Sequence, residues 1–223
     1  MKPVKITDRN IMFTEPMGQE YDLNMGLIFG NRHNFVIDTG LGSGSVAPLL
    51  KHLEGNKKPI VVINTHSDWD HIWGNWVFKD SIIISHIKCH ELMEKHWDEA
   101  VRELAQRIDG EVYKCLPNMV FNDSLCFPDD GIEIFYSPGH TIGDISVYDV
   151  KDKVLYAGDN IGDTADAIVP YINTDIETFK GLITLYKKFD FDICISGHNK
   201  PQGKNITTLM EAALEDSWRR QIE

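Results

Sequence analysis

The stretch Ile60-Val61-Val62-Ile63-Asn64-Thr65-His66-Ser67-Asp68-Trp69-Asp70-His71 joins two unlike pieces of chain. Its first four residues are β-branched and uninterrupted, the pattern of a strand buried on both faces. The next eight hold four residues able to bind a metal, His66, Asp68, Asp70 and His71. Ligands on a loop that leaves a buried strand are held rigidly on one side and stay open on the other. A reactive metal centre needs that combination.

Working outward, residues 11–14, 25–29 and 34–37 read as strands separated by turn-forming Gly and Asn. Val46, Leu49, Leu50 and Leu53 then fall at helical spacing, with Ser45 as the expected N-cap and Gly55 just past the end. Residues 82–84 repeat the buried-strand pattern. A helix is expected over 87–108, with Trp97, Val101, Leu104, Ala105 and Ile108 on one stripe. Strands follow at 125–127, 132–136, 145–148 and 154–157. Thr174 and Glu177 have the spacing of a capping box for a helix that turns Phe179, Leu182, Ile183 and Tyr186 inward. A last strand at 193–195 and a last helix over 203–220 complete the pattern. Each half of the chain is strands followed by helix. Two sheets packed face to face, with helices on the outer faces, would bury every apolar face, so the expected class is α+β.

Three further ligand types sit at strand exits. His140 lies in Ser137-Pro138-Gly139-His140-Thr141, Asp159 in Ala157-Gly158-Asp159, and His198 in Ser196-Gly197-His198. One such residue means little. Four junctions delivering imidazole and carboxylate point to a shared centre, and seven side chains are enough for two divalent ions with one bridging carboxylate.

This pattern resembles the metallo-β-lactamase superfamily, whose first motif is HxHxDH and whose later ligands lie in PGHT-like, GD and GH turns. Ile37-Asp38-Thr39-Gly40 is similar to the family's structural DTG turn. The resemblance runs from about residue 35 to residue 198. It implies an αββα sandwich with the site at one edge between the sheets. It also implies that His66 and His140 hold the first metal, Asp70, His71 and His198 the second, and that Asp159 bridges them. Asp70, in related enzymes, hydrogen-bonds the attacking hydroxide and is the expected catalytic residue. The expected activity is hydrolysis of a small ester, lactone, thioester or phosphoester by a metal-bound hydroxide.

The chain departs from the family at Asp68, where the motif has its second His. Read as a ligand, this carboxylate hardens the site, so that zinc, the family's metal, competes with iron or manganese. It also resembles the acidic residue of the flavodiiron branch, which makes a diiron oxygen-binding or redox protein the alternative. Asp144, where relatives often have Ser, reads as the start of the next strand.

Composition bounds the rest. The 223 residues carry 22 Lys and Arg against 34 Asp and Glu, a net charge of −12 with no basic patch, which argues against nucleic acid as a partner and for a small-molecule substrate. No linker divides the chain, so residues 1–223 read as one domain, with 87–118 as a candidate helical lid. Residues 1–10 lack the apolar core of a signal peptide and no apolar run is long enough to span a membrane. Cys89, Cys115, Cys126 and Cys194 form no CxxC. A reducing cytoplasm is the expected location. With one helix after His198, neither the helical domain of glyoxalase II relatives nor the extra domain of nucleic-acid-processing relatives is expected. His86-x-x-Cys89-His90 reads as packing. Trp69, Trp73, Trp76 and Trp97 read as core, with Trp69 and Trp73 near enough to the ligands to line a substrate wall.

Overall fold

A computed structural model describes residues 1–18 and 21–222, with side chains followed to residue 216 in the last helix. The run 60–63 is a strand, β5 (Ile60–Ile63), and its alternation sets the layers. Val61 and Ile63 point into the space between two sheets, while Val62 points the other way, toward helices. A period of two with both faces covered turns every position apolar.

The first sheet has seven strands in chain order: β1 (Lys2–Lys5), β2 (Asn10–Pro16), β3 (Asp22–Phe29), β4 (Asn34–Ile37), β5, β6 (Ile82–His86) and β7 (Met119–Phe121). Pairing is antiparallel up to β4 and parallel from there on. The second sheet comprises β8 (Ser124–Phe127), β9 (Ile132–Tyr136), β10 (Ile145–Asp149), β11 (Val154–Gly158), β12 (Ile193–Ser196) and β13 (Gln202–Gly203), ordered β13-β12-β11-β10-β9-β8. Only β11 and β12 run parallel in it. Between the sheets, Phe35, Ile37, Val61, Ile63 and Ile84 meet Ile134, Ile145, Val147, Tyr156 and Ile195.

Helices cover both outer faces. α1 (Ser43–Leu53) lays Val46, Leu49 and Leu53 on Leu27, Val36 and Val62. On the other side, α4 (Ile176–Tyr186) and α5 (Ile206–Ile222) bury Phe179, Leu182, Tyr186, Ile206 and Met210 against Phe135, Leu155 and Cys194. The expected αββα sandwich is the fold.

Four local expectations are corrected. Ser45 is not the N-cap of α1. The helix starts at Ser43, and the amides of Ser43 and Gly44 donate to the carbonyls of Glu111 and Asp109. Serving those amides takes the chain out of the long helix early. α3 therefore ends at Glu103 (Ile87–Glu103), and a separate 3-10 turn follows at Ala105–Arg107. Thr174 does not cap α4 either. Asp175 does, accepting from the Thr178 amide at 2.9 Å, and the Thr174 hydroxyl donates to the Gly139 carbonyl instead. The last helix begins at Ile206, because residues 202–203 pair with β12.

Candidate metal centre

The ligand types gather where β5, β9, β11 and β12 end on one edge of the sandwich. The loop after β5 holds His66 and Asp68 and winds into the one-turn helix α2 (Trp69–Ile72), which contributes Asp70 and His71. All seven side chains singled out from the sequence reach this place. His140 Nε2 lies 3.1 Å from Asp68 Oδ2, and His66 Nε2 lies 3.8 Å from the same oxygen. His198 Nε2 lies 3.5 Å from Asp70 Oδ2, and His71 Nε2 lies 3.9 Å from Asp70 Oδ1. Asp159 stands between the two groups. Its Oδ2 is 3.4 Å from His66 Nε2 and 3.1 Å from His198 Nε2, and its Oδ1 is 3.4 Å from His71 Nε2.

What aims the imidazoles is on their far sides. His71 Nδ1 lies 2.9 Å from Asp38 Oδ2, His140 Nδ1 2.7 Å from the Tyr171 carbonyl, and His198 Nδ1 2.7 Å from the Asp22 carbonyl. These partners only accept, so each Nδ1 carries the proton. His66 Nδ1 faces Thr65 Oγ1 at 3.0 Å, and that hydroxyl already donates to Asp38 Oδ2, so His66 Nδ1 donates as well. All four neutral rings therefore turn an Nε2 lone pair inward, the tautomer a metal ligand needs.

The inward atoms fit divalent cations. His66 Nε2 and Asp159 Oδ1 are buried without hydrogen-bond partners. His71 Nε2 and His198 Nε2 stand 3.4 Å apart, two lone pairs face to face once both Nδ1 atoms are protonated. Without a cation these groups share protons. The carboxylates of Asp68 and Asp159 overcome burial and raise His140 to about 9, and Asp159 and Asp70 do the same for His198. Burial would raise Asp159, but His71, His198 and His66 hold it well below the usual carboxylate range. Burial dominates at Asp70, which is raised. A dication replaces those protons, and its binding releases them.

Asp38 is within ligating range of His66 and His71, but its oxygens are already engaged. Oδ1 accepts the Thr65 amide at 2.7 Å, and Oδ2 accepts Thr65 Oγ1 and His71 Nδ1. It orients two ligands and binds none. Its φ of +59° is a left-handed conformation that Asn and Asp tolerate better than most residues. Asp38→Asn keeps that tolerance, but wherever the amide NH2 points it meets the Thr65 amide or a donor across Oδ2. We expect a folded protein whose metal affinity falls about 10–100-fold, measured by competition with a chromophoric chelator. Unchanged affinity would remove Asp38 from this role.

Gly158 sets the approach of β11. Its φ is +55°, and a Cβ there would lie 2.7 Å from Thr65 Oγ1, the atom that orients His66. Gly158→Ala combines an unfavourable backbone with overpacking, and should cost about 2–4 kcal/mol in chemical denaturation. A change under about 0.5 kcal/mol would show that the loop gives way.

Other side chains settle into structural roles. Asp144 is not simply the first strand residue, since β10 starts at Ile145. Buried, with its carboxyl raised to about 6, it accepts the Thr141 amide at 2.7 Å and the Thr141 hydroxyl, bracing the His140 turn. Asn160 ties the same turn down, accepting the His140 amide and donating to the Ser137 carbonyl. Trp73 is fully buried against Ile72, Cys89, Met93 and Trp97 and cannot reach a substrate, whereas Trp69 lines the cavity over the ligands. His86 stacks on Tyr136 and His90 faces the Pro117 carbonyl. Cys89, Cys115, Cys126 and Cys194 are all unpaired. No described helix is long and apolar enough to cross a membrane.

Comparisons with known proteins agree with this fold. The sequence pattern of the metallo-beta-lactamase superfamily matches residues 20–198. An acyl-coenzyme A thioesterase of Homo sapiens, MBLAC2, is 26% identical over 206 residues, covering 78% of this chain and 72% of that protein. A probable metallo-hydrolase of Methanocaldococcus jannaschii is 30% identical over 160 residues, covering 65% of this chain and 69% of its own. Among solved structures, a metallo-beta-lactamase from Pontibacter korlensis superposes with a TM-score of 0.76 over 96% of this chain and 98% of its own at 18% identity, a likeness of fold. An edge-on cluster of imidazoles and carboxylates in such a sandwich defines a metal-dependent hydrolase. The chain belongs to the metallo-beta-lactamase superfamily, whose members bind divalent metals.

Proposed function

We propose that the chain is a dinuclear hydrolase of small acyl thioesters. The observation that carries the two-metal part is the set of four inward Nε2 atoms around Asp159, with His66 Nε2 and Asp159 Oδ1 left without hydrogen-bond partners. His66, Asp68 and His140 would hold one ion, Asp70, His71 and His198 the other, and Asp159 both. The thioester narrows the wider set of esters, lactones and phosphoesters, and its support is the name of the human relative. Bound divalent ions acidify water and polarise a carbonyl oxygen.

The protein's own groups do the rest. Asp70, buried at the cavity floor, accepts a hydrogen bond from the attacking water, fixes its line of approach and takes its proton. The same carboxyl lines the cavity and is placed to return that proton to the leaving thiolate. Trp69, Pro170 and Tyr171 wall the cavity and limit water around the acyl group.

The test is metal analysis with an assay panel of a thioester, an ester, a lactone and a phosphodiester. Two ions per chain, thioester turnover abolished by chelation, and recovery on adding metal back are expected. One ion or none, or preference for another bond, overturns the proposal. Asp68 favours a second reading, a diiron oxygen-binding or redox protein, because a carboxylate there suits a harder metal. Two irons with a near-ultraviolet charge-transfer band, and no hydrolysis, would select it.

A further inference from the structure

The cavity over the ligands holds about 190 Å3, and Tyr21, Trp69, Pro170 and Tyr171 are its aromatic and aliphatic walls. Candidate ligands make up most of the rest. Tyr171 is 79% exposed, so an acyl tail laid along it stays in water. Trp69 leads the other way, into the protein. It also lines a second space, between α2 and α3, whose walls include Ile72, Trp73, Met93, Trp97 and Ala100. This slot is apolar but narrow, about 20 Å3, room for about one water-sized group. The indole between the two spaces is a fixed partition. It sits in α2 between Asp68 and Asp70, so its backbone goes where the metal loop goes. Its ring lies 5.1 Å from that of Trp73 and packs on two separate apolar clusters, one holding Ile72, Met93 and Trp97, the other Met17, Leu23 and Leu41. Swinging it aside gives up contacts with both.

We infer that Trp69 sets which acyl chains the enzyme favours, by closing the metal cavity against the slot under α3. The inference rests on the thioester reading and deepens it, since it names the substrate class as short acyl thioesters, whose acyl group ends at the indole. The physical reason is apolar burial. A chain longer than the cavity finds no further apolar space, so each added methylene stays in water and adds nothing to binding. With the two spaces joined, each methylene that entered the slot would strengthen binding about three- to fourfold. The partition therefore decides whether affinity grows with chain length. It does so at a residue that holds no metal and moves no proton.

The experiment measures kcat/KM for acetyl, butanoyl, hexanoyl and octanoyl coenzyme A on the metal-loaded natural protein and on Trp69→Leu, which keeps an apolar side chain against both clusters. In the natural protein we expect the butanoyl and octanoyl thioesters to differ by less than about threefold. In the variant the octanoyl-to-butanoyl ratio should rise at least about tenfold, whatever the absolute rates. Adding Ala100→Phe to the variant fills the slot from α3 and should return the ratio toward its natural value, which a general loosening of the site would not do. A natural protein whose kcat/KM climbs about threefold with each methylene overturns the inference without any variant. An unchanged ratio in Trp69→Leu overturns it as well. Calorimetric binding of butanoate and octanoate to the same metal-loaded proteins separates this from failure of the thioester reading. If no thioester is hydrolysed, the proposed function fails, while tighter binding of octanoate in Trp69→Leu alone still upholds the partition. The same preference in the natural protein, or none in either, refutes it.

Discussion

Asp159→Ala should yield a protein that retains neither metal ion and whose kcat/KM falls by about 10³-fold or more, roughly 4 kcal/mol of transition-state stabilisation. The expectation follows from position. Asp159 reaches the inward Nε2 atoms of both groups, with Oδ2 between His66 and His198 and Oδ1 at His71, whereas Asp38, also near His66 and His71, has its oxygens engaged by Thr65 and His71 Nδ1. A side chain serving one ion would, on removal, leave the other in place. Its loss also leaves His71 and His198, 3.4 Å apart, with Asp70 at 3.9 and 3.5 Å as the carboxylate that still faces both. Elemental analysis after desalting reads the result. Retention of one full equivalent would assign Asp159 to a single ion, and retention of both would remove the bridge altogether. Asp159→Asn is the companion variant. It keeps the volume at this buried position, so a loss of metal in both variants cannot be assigned to collapse of the loop.

The second large effect is expected at Asp68. Asp68→His should change which metal the purified protein retains, toward zinc and away from iron or manganese, because imidazole is a softer donor than carboxylate. In the structure Asp68 stands where such a switch can act, 3.1 Å from His140 Nε2 and 3.8 Å from His66 Nε2. Its side chain is 41% exposed, so the larger ring can be accommodated without disturbing the core. Growth in defined metal followed by elemental analysis tests this. Unchanged identity and stoichiometry in the variant would mean that Asp68 is not a ligand, and that the first ion is held by His66, His140 and Asp159 alone.

Much of this centre was legible because its chemistry is local. Runs such as 60–63 and 193–195 announce buried strands, and a ligand one to three residues beyond a strand end is carried wherever that strand goes. Other parts leave no such trace. β1 is exposed at every position and is held to β2 by backbone pairing, so no apolar pattern marks it. β7 has three residues, too few for a period to emerge. The caps at Ser45 and Thr174 were misplaced because capping residues near each helix start compete on equal local terms. Contacts from distant chain decided between them, the carbonyls of Asp109 and Glu111 at α1 and of Gly139 near α4.

The sequence by itself determined the sandwich, the four strand exits and the identities of the seven converging side chains. Hydrophobic period and residue chemistry are properties of neighbours along the chain, and they survive in a one-dimensional record. Tertiary structure alone decided how the imidazoles are aimed. The acceptors that fix them include the backbone carbonyls of Asp22 and Tyr171, groups every residue carries and no sequence distinguishes. It alone gave Asp38 its place behind both His71 and Thr65, and it alone set Asp159 between the two groups of imidazoles. Those relations are distances between segments far apart in the chain, and they exist only once the two sheets have closed on each other.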